Sequence, residues 1–151
     1  MTKWPIPEPM QAALEVASKA AEAGEVPVGA VIMRGSEVVA VAANATRSPP
    51  DPTGHAEIVA LRMAAEKLGQ DRLATCDLYV TLEPCAMCAG AIAHARIARL
   101  YYAASDPKGG AVEHGARVFE HTQTMHRPEV YSGMGESEAA ELLRAFFKER
   151  R

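Results

Sequence analysis

Apolar residues recur along this chain with two periods, and the change from one to the other predicts the order of its elements. Met10, Leu14, Ala17 and Ala21 stand at spacings of four, three and four. That is the period of a helix burying one stripe, and Gly24 is placed to end it. Val26 to Met33 and Glu37 to Ala43 are two apolar runs joined by Arg34-Gly35-Ser36, the pattern of a β-hairpin. Pro27 and Gly29 are poor strand residues, so the first run is expected at an edge, at a bulge, or where a ligand approaches the backbone. Close packing of Gly29 against another element is the competing expectation.

A proline-rich loop, Arg47 to Pro52, then delivers the chain to His55. Ile58, Leu61, Ala65 and Leu68 follow at helical spacing and Gly69 closes the run, which predicts a helix from about His55 to Leu68. Asp77 to Leu82 reads as a buried strand. Glu83 stands where an N-cap would be and Pro84 suits a first helical position, so a helix is expected from Cys85 to about His94. Arg99 to Ala104 is the next strand, Ser105 to Gly110 is rich in turn formers, and Glu129 to Tyr131 suggests one more short strand. Glu136 to Arg151 reads as a closing helix whose apolar face is Ala139, Leu142, Leu143, Phe146 and Phe147. The total is about five strands and five helices. Their alternation indicates an α/β layered domain, and the hairpin makes its sheet mixed.

With 151 residues and 48% hydrophobic composition, the chain is expected to be one domain over 1–151, with residues 1–7 a flexible tail. Sixteen basic and nineteen acidic residues give a net charge of -3, divided evenly between the halves, so no basic half advertises nucleic acid. A local groove can still be positive on a mildly acidic protein. Three cysteines are too few for a secreted disulfide framework. With no signal-like N-terminus and no run approaching the roughly 18 apolar residues of a membrane span, a cytoplasmic protein without a membrane partner is expected.

The candidate chemistry lies in His55-Ala56-Glu57 and Pro84-Cys85-Ala86-Met87-Cys88. A CxxC alone could be a redox pair, a structural zinc knuckle or an accident. A redox pair leaves His55 and Glu57 without a role, and a structural zinc needs a fourth protein ligand. If the two strand-to-helix junctions lie side by side, His55, Cys85 and Cys88 supply three ligands and leave a position for water, as in catalytic zinc sites. Such a water has its pKa lowered toward about 7, and Glu57 would handle its proton. A helix start should favour ionised Glu57. Yet residues two apart on a regular helix point about 200° from each other, so spacing alone does not show that His55 and Glu57 converge. Asn44, directly after a strand, is a turn former or a ligand reader.

These residues together resemble the bacterial tRNA-specific adenosine deaminases of the cytidine/deoxycytidylate deaminase superfamily, whose HxE and PCxxC signature they match. Glu25-Val26-Pro27-Val28-Gly29-Ala30-Val31, Asn44, the DLYVTLEPCAMCAGAI run and Asp106-Pro107-Lys108-Gly109-Gly110 extend the likeness from about residue 8 to the C-terminus. The resemblance implies a cytidine deaminase-like three-layer α/β/α domain with a mixed five-stranded central sheet, assembled as a homodimer. It implies Zn2+ on His55, Cys85 and Cys88, with Glu57 the proton shuttle in hydrolytic deamination of adenosine to inosine at the wobble position, position 34, of an arginine tRNA. Activated water would attack adenine C6 while Glu57 protonates N1 and then the leaving amine. Asn44, the Ala56 amide and Val28 would bind the base. Asp106, Lys108, His126 and Arg127 would meet the anticodon stem-loop, with Arg96, Lys148, Arg150 and Arg151 as further basic residues for an RNA path. A guanine or cytosine deaminase of the same superfamily and a non-catalytic, zinc-stabilised RNA-binding protein are the alternatives.

Overall fold

A computed structural model describes residues 5–150 of the chain. At its centre is a five-stranded sheet in the order β2-β1-β3-β4-β5. The strands are β1 (Gly29–Arg34), β2 (Glu37–Ala43), β3 (Asp77–Leu82), β4 (Arg99–Ala104) and β5 (Glu129–Ser132). β1 pairs antiparallel with both β2 and β3, whereas β3, β4 and β5 run parallel, so the sheet is mixed as the hairpin required. The α-helices are α1 (Glu8–Glu22), α2 (Ala56–Leu68), α3 (Ala86–Ala95) and α4 (Glu136–Glu149). The expected fifth helix is only a 3-10 turn, Val118–Glu120, among the described residues.

Alternation along β1 builds the layers, because successive side chains point to opposite faces. Ala30 and Ile32 enter a core with Ala60 and Leu61 of α2 and Ala89 and Ile92 of α3. Val31 and Met33 enter a second core with Met10 and Ala13 of α1 and Ala139 of α4. Helices therefore cover both faces, giving the three-layer α/β/α arrangement.

β1 is an interior strand, which overturns the edge expectation. The hairpin does carry a bulge between Ile32 and Met33, but Gly29 lies away from it. A Cβ at Gly29 would sit 1.9 Å from the Ala13 carbonyl oxygen and 2.8 Å from Val16 Cγ2. The glycine lets α1 cross close over the sheet, so packing uses it. That crossing also rotates α1: its buried stripe is Met10, Ala13, Ala17 and Ala20, with Leu14 at the margin. In α4, Ala139 and Phe146 are buried, but Phe147, expected on the same face, is 48% exposed and meets Phe146 edge-on.

Of the expected tail, residues 1–4 lie outside the described residues. Ile6 packs against the α1/α4 core, and its carbonyl accepts a hydrogen bond from Gln11. No helix among the described residues is long and apolar enough to cross a membrane.

Candidate metal centre and its pocket

Two helix starts meet at the carboxyl end of β3. α2 follows His55, an extended N-cap residue at φ -68° and ψ 150°. α3 follows Cys85, likewise extended at φ -73° and ψ 177°. Neither side chain caps its own helix, so both turn to a common point. Cys88 is the third residue of α3, the position that faces the N-cap in a capping box, which is why cysteines three apart come together. Both helices thus begin one residue later than their sequence patterns suggest. Glu83 is not the N-cap and Pro84 is not the first helical residue. Pro84 lies before the cap, where its carbonyl accepts the Ala111 N–H at 2.8 Å.

His55 Nδ1 lies 3.6 Å from Cys85 Sγ and 3.5 Å from Cys88 Sγ, and the three donor atoms all fall within 4.8 Å of one another. Tetrahedral zinc with its usual bond lengths separates nitrogen from sulfur by about 3.6 Å. Donor chemistry and spacing therefore fit a metal ion without rearrangement. Hydrogen bonding from the Cys88 thiol brings Cys85 down to about 5 despite burial. The same bond, with burial, pushes Cys88 well up.

Glu57 is 4% exposed and lines a cavity of about 290 Å³ with His55, Cys85, Asn44, Val28, Val26, Leu82, Glu83, Asp106 and Gly109. His55 and Glu57 converge because His55 precedes the helix in extended backbone. Burial pushes the Glu57 carboxyl up to about 7, and the negative Cys85 adds to the rise. Desolvation thus outweighs the helix-start field that was expected to keep it ionised. A larger cleft, about 560 Å³, lies between Pro5–Pro7 and the start of α4, but neither His nor Cys lines it.

Asn44 is fixed at both ends. Its N–H donates to the Val28 carbonyl at 3.0 Å, and its Oδ1 accepts the Ala56 N–H at 3.2 Å. The Nδ2 donors are left to face the cavity, and Ala56 contributes by orienting Asn44. Asp106 also lines the cavity, its Oδ1 accepting the N–H groups of Lys108 and Gly109 at 3.2 and 3.0 Å. The remaining expected RNA-contacting residues are not brought into this cavity. Lys108 is an exposed turn residue. His126 Nε2 sits 2.7 Å from the Ile97 carbonyl oxygen. Arg127 donates to the Phe119 carbonyl and borders a separate cavity of about 340 Å³ with Glu113 and Glu120. Arg96 ends α3 with φ 63°, Arg150 lies 3.7 Å over the Phe146 ring, and Arg151 lies outside the described residues.

Two carboxylates that sequence reasoning missed hold the loops around the pocket. Glu25 accepts from Thr46 N, Thr46 Oγ1 and Arg47 N at 3.1, 3.1 and 2.9 Å, anchoring the loop after Asn44. Glu83 has no exposed side-chain surface. Its Oε1 accepts the Asp106 N–H at 3.0 Å and meets His114 Nδ1 at 2.7 Å, while Oε2 accepts the N–H groups of Val112, Glu113 and His114 at 3.1, 3.0 and 3.1 Å. Burial works against the Glu83 carboxylate, but the Asp106 amide, the His114 ring and the following amides hold it below its usual range. The signal available in the sequence was a glutamate between a strand and a proline with no capping role.

The family model for MafB19-like deaminases matches residues 7–151. The tRNA-specific adenosine deaminase of Agrobacterium fabrum is 58% identical over 142 residues, which is 94% of this chain and 93% of that protein. A solved structure from a study of A-to-I editing by tRNA:A34 deaminases at the wobble position superposes with a TM-score of 0.88 at 57% identity, covering 89% of this chain and 98% of the other. A guanine deaminase structure from Bacillus subtilis is less similar, with a TM-score of 0.63 and 40% identity over 64% of this chain and 62% of its own.

Proposed function

Since this chain belongs to the MafB19-like deaminases and, among them, to the tRNA-specific adenosine deaminases, we propose that it hydrolyses adenosine to inosine at the wobble position of tRNA, releasing ammonia. One observation carries the assignment of residues. The Glu57 carboxyl shares a cavity of about 290 Å³ with His55, Cys85 and Asn44, beside the His55, Cys85 and Cys88 donor set. His55 Nδ1 and the two cysteine sulfurs would hold the metal, zinc by the chemistry of these donors. When bound it would supply Lewis acidity that lowers the pKa of water toward about 7.

The chain's own groups do the rest. Glu57, sheltered from solvent and with its pKa raised to about 7, suits a group that must both take and return a proton near neutral pH. It accepts a proton from the attacking water and delivers it to adenine N1, then takes the second proton from the new C6 hydroxyl and passes it to the exocyclic amine, so that a C6 carbonyl forms as the C6–N bond breaks and ammonia leaves. Asn44 presents its Nδ2 donors to ring acceptors of the base, pre-oriented by the Ala56 N–H. Val28 and Leu82 supply apolar walls, and Asp106 with Gly109 completes the lining. Lys108, His126 and Arg127 lie outside the base pocket and serve the anticodon stem-loop, with an arginine tRNA as substrate.

We further infer one zinc-dependent deaminase domain over residues 1–151, located in the cytoplasm and paired with a second copy. Exposed Met63 of α2, Met87 of α3 and nearby Met125, together with a cleft of about 510 Å³ bordered by Ile58, Leu61, Ala91 and Ala95, support pairing through this face. Sedimentation analysis checks it.

The assay that tests the reading incubates zinc-loaded protein with an anticodon stem-loop carrying adenosine 34, where the number is the tRNA nucleotide, and separately with free guanine. Inosine in the RNA without xanthine is the expected result. Xanthine production alongside unedited RNA would overturn it in favour of a free-base deaminase.

A further inference from the structure

Part of the pocket wall belongs to the long segment between β4 and β5. Asp106 and Gly109 line the cavity there, yet residues 105–117 contain no helix or strand to hold them. Their position is set from beneath by Glu83. One carboxylate gathers four backbone N–H groups and one imidazole from both ends of the turn, Asp106 at the near end and Val112, Glu113 and His114 at the far end. Gly110 is shaped by the same contact, since a Cβ there would lie 2.5 Å from Glu83 Cδ and 2.6 Å from the Asp106 carbonyl oxygen.

Glu83 also stands two residues before Cys85, on the short link from β3 to α3. The carboxylate therefore ties the loop to the same segment that carries a metal donor, which fixes the distance between the Asp106 wall and the reacting centre. His114, 36% exposed, bridges from the far end of the loop to Oε1.

We propose that Glu83 and His114 form a positioning pair, setting the Asp106–Gly109 wall so that the nucleic acid is gripped around its reacting base. Neither residue touches the reacting atoms. The pair governs binding of the RNA, while the rate of the bound complex stays with Glu57 and the metal. The RNA readout rests on the tRNA reading given above, whereas the readout from the loop itself does not.

Glu83→Gln keeps the size and one carbonyl oxygen, but places an NH2 group where the Asp106 N–H and His114 Nδ1 both approach. His114→Ala removes the imidazole and leaves the backbone amide in place. His114→Asn restores a donor, because Asn Nδ2 occupies the place of the ring Nδ1. Zinc-loaded wild type and variants are compared by amide hydrogen exchange over residues 106–114, by zinc content, and by kcat and KM on the anticodon stem-loop. In Glu83→Gln, exchange at the Asp106 amide and KM should each rise about tenfold or more, the loss of roughly one charge-assisted bond, with zinc retained and kcat within about twofold. His114→Ala should raise KM about threefold, as expected for a partly exposed pair, and His114→Asn should return it to the wild-type value.

Unchanged loop exchange in Glu83→Gln would overturn the proposal. So would a fall in kcat at constant KM, or a His114→Asn variant no better than His114→Ala. If Glu83→Gln loses its fold, the two His114 variants decide. Wild-type protein inactive on the stem-loop would instead overturn the tRNA reading, and loop exchange would then still decide whether the pair holds the wall.

Discussion

Glu57 at the start of α2 and Glu83 at the end of β3 are equally hidden, at 4% and 2% exposure, and both border the same cavity. Their acidities move in opposite directions. Burial raises Glu57 to about 7, whereas Glu83 is less deeply set and the backbone and imidazole donors around it overcome its smaller desolvation and lower it. Low surface exposure alone therefore does not say what a carboxylate is for. A carboxylate saturated by donors cannot give or take a proton without breaking them, and so it can only hold structure. One left poorly compensated changes its proton readily, and so it can do chemistry.

The sharpest way to break this comparison is to remove each charge at constant shape. Glu57→Gln should lower kcat on the stem-loop by about 10²–10⁴-fold, the usual worth of a positioned proton carrier, with metal content unchanged. Its thermal midpoint should not fall, because a poorly compensated buried charge has been removed. Full activity would place proton transfer on another group. Glu83→Gln should behave the other way in a melting experiment, losing about 1–3 kcal/mol as the Asp106 N–H faces a donor. For a chain of this size each kcal/mol moves the midpoint by roughly 2–4 °C. A midpoint equal to that of Glu57→Gln would erase the distinction between the two residues.

Gly110→Ala sharpens the same point through sterics. The added Cβ collides with Glu83 and with the Asp106 carbonyl, at a cost of about 1–3 kcal/mol. Both substitutions disturb one contact, so the double variant with Glu83→Gln should lose less than the sum of the two. Simple additivity, measured by chemical denaturation, would mean that the glycine and the carboxylate act independently.

The contrast also explains what the sequence made legible. The cluster that could hold a metal could be read in advance because its chemistry is carried by residue type and by short spacing, His55 alone and Cys85 with Cys88 three apart. The strands could be read because Asp77–Leu82 and Arg99–Ala104 are apolar runs between turn signals. Gly29 was ambiguous, since the close approach that demands it comes from Ala13 and Val16 of a different element. Glu83 was misread as a cap because its partners lie 23 to 31 residues later, in a stretch whose polar composition carries no periodic signal. Glu57 illustrates the same limit, since its place in the first turn of α2 suggested ionisation and only the cavity walls reveal desolvation. For His126 and Arg127, resemblance transfers a residue to a position, and only the structure shows the hydrogen bonds to Ile97 and Phe119 that orient their side chains.

Glu25 is the milder counterpart of Glu83. It anchors the loop after Asn44 through Thr46 and Arg47, with three donors and no imidazole. Burial opposes its charge, but the Thr46 and Arg47 amides hold its pKa below the ordinary 4.5. A carboxylate depressed in the folded state contributes stability that is complete above its unfolded value and disappears as pH falls through its folded value. Glutamine at this position cannot titrate. The stability gap between wild type and Glu25→Gln should therefore be constant at neutral pH, narrow as pH drops below about 4.5, and close in stronger acid. Paired denaturation curves across that range measure the gap. Its persistence unchanged into acid would mean that Glu25 holds the loop by shape alone, and the Asn44 side of the pocket would then lack the charge-based anchor that Glu83 gives the Asp106 side.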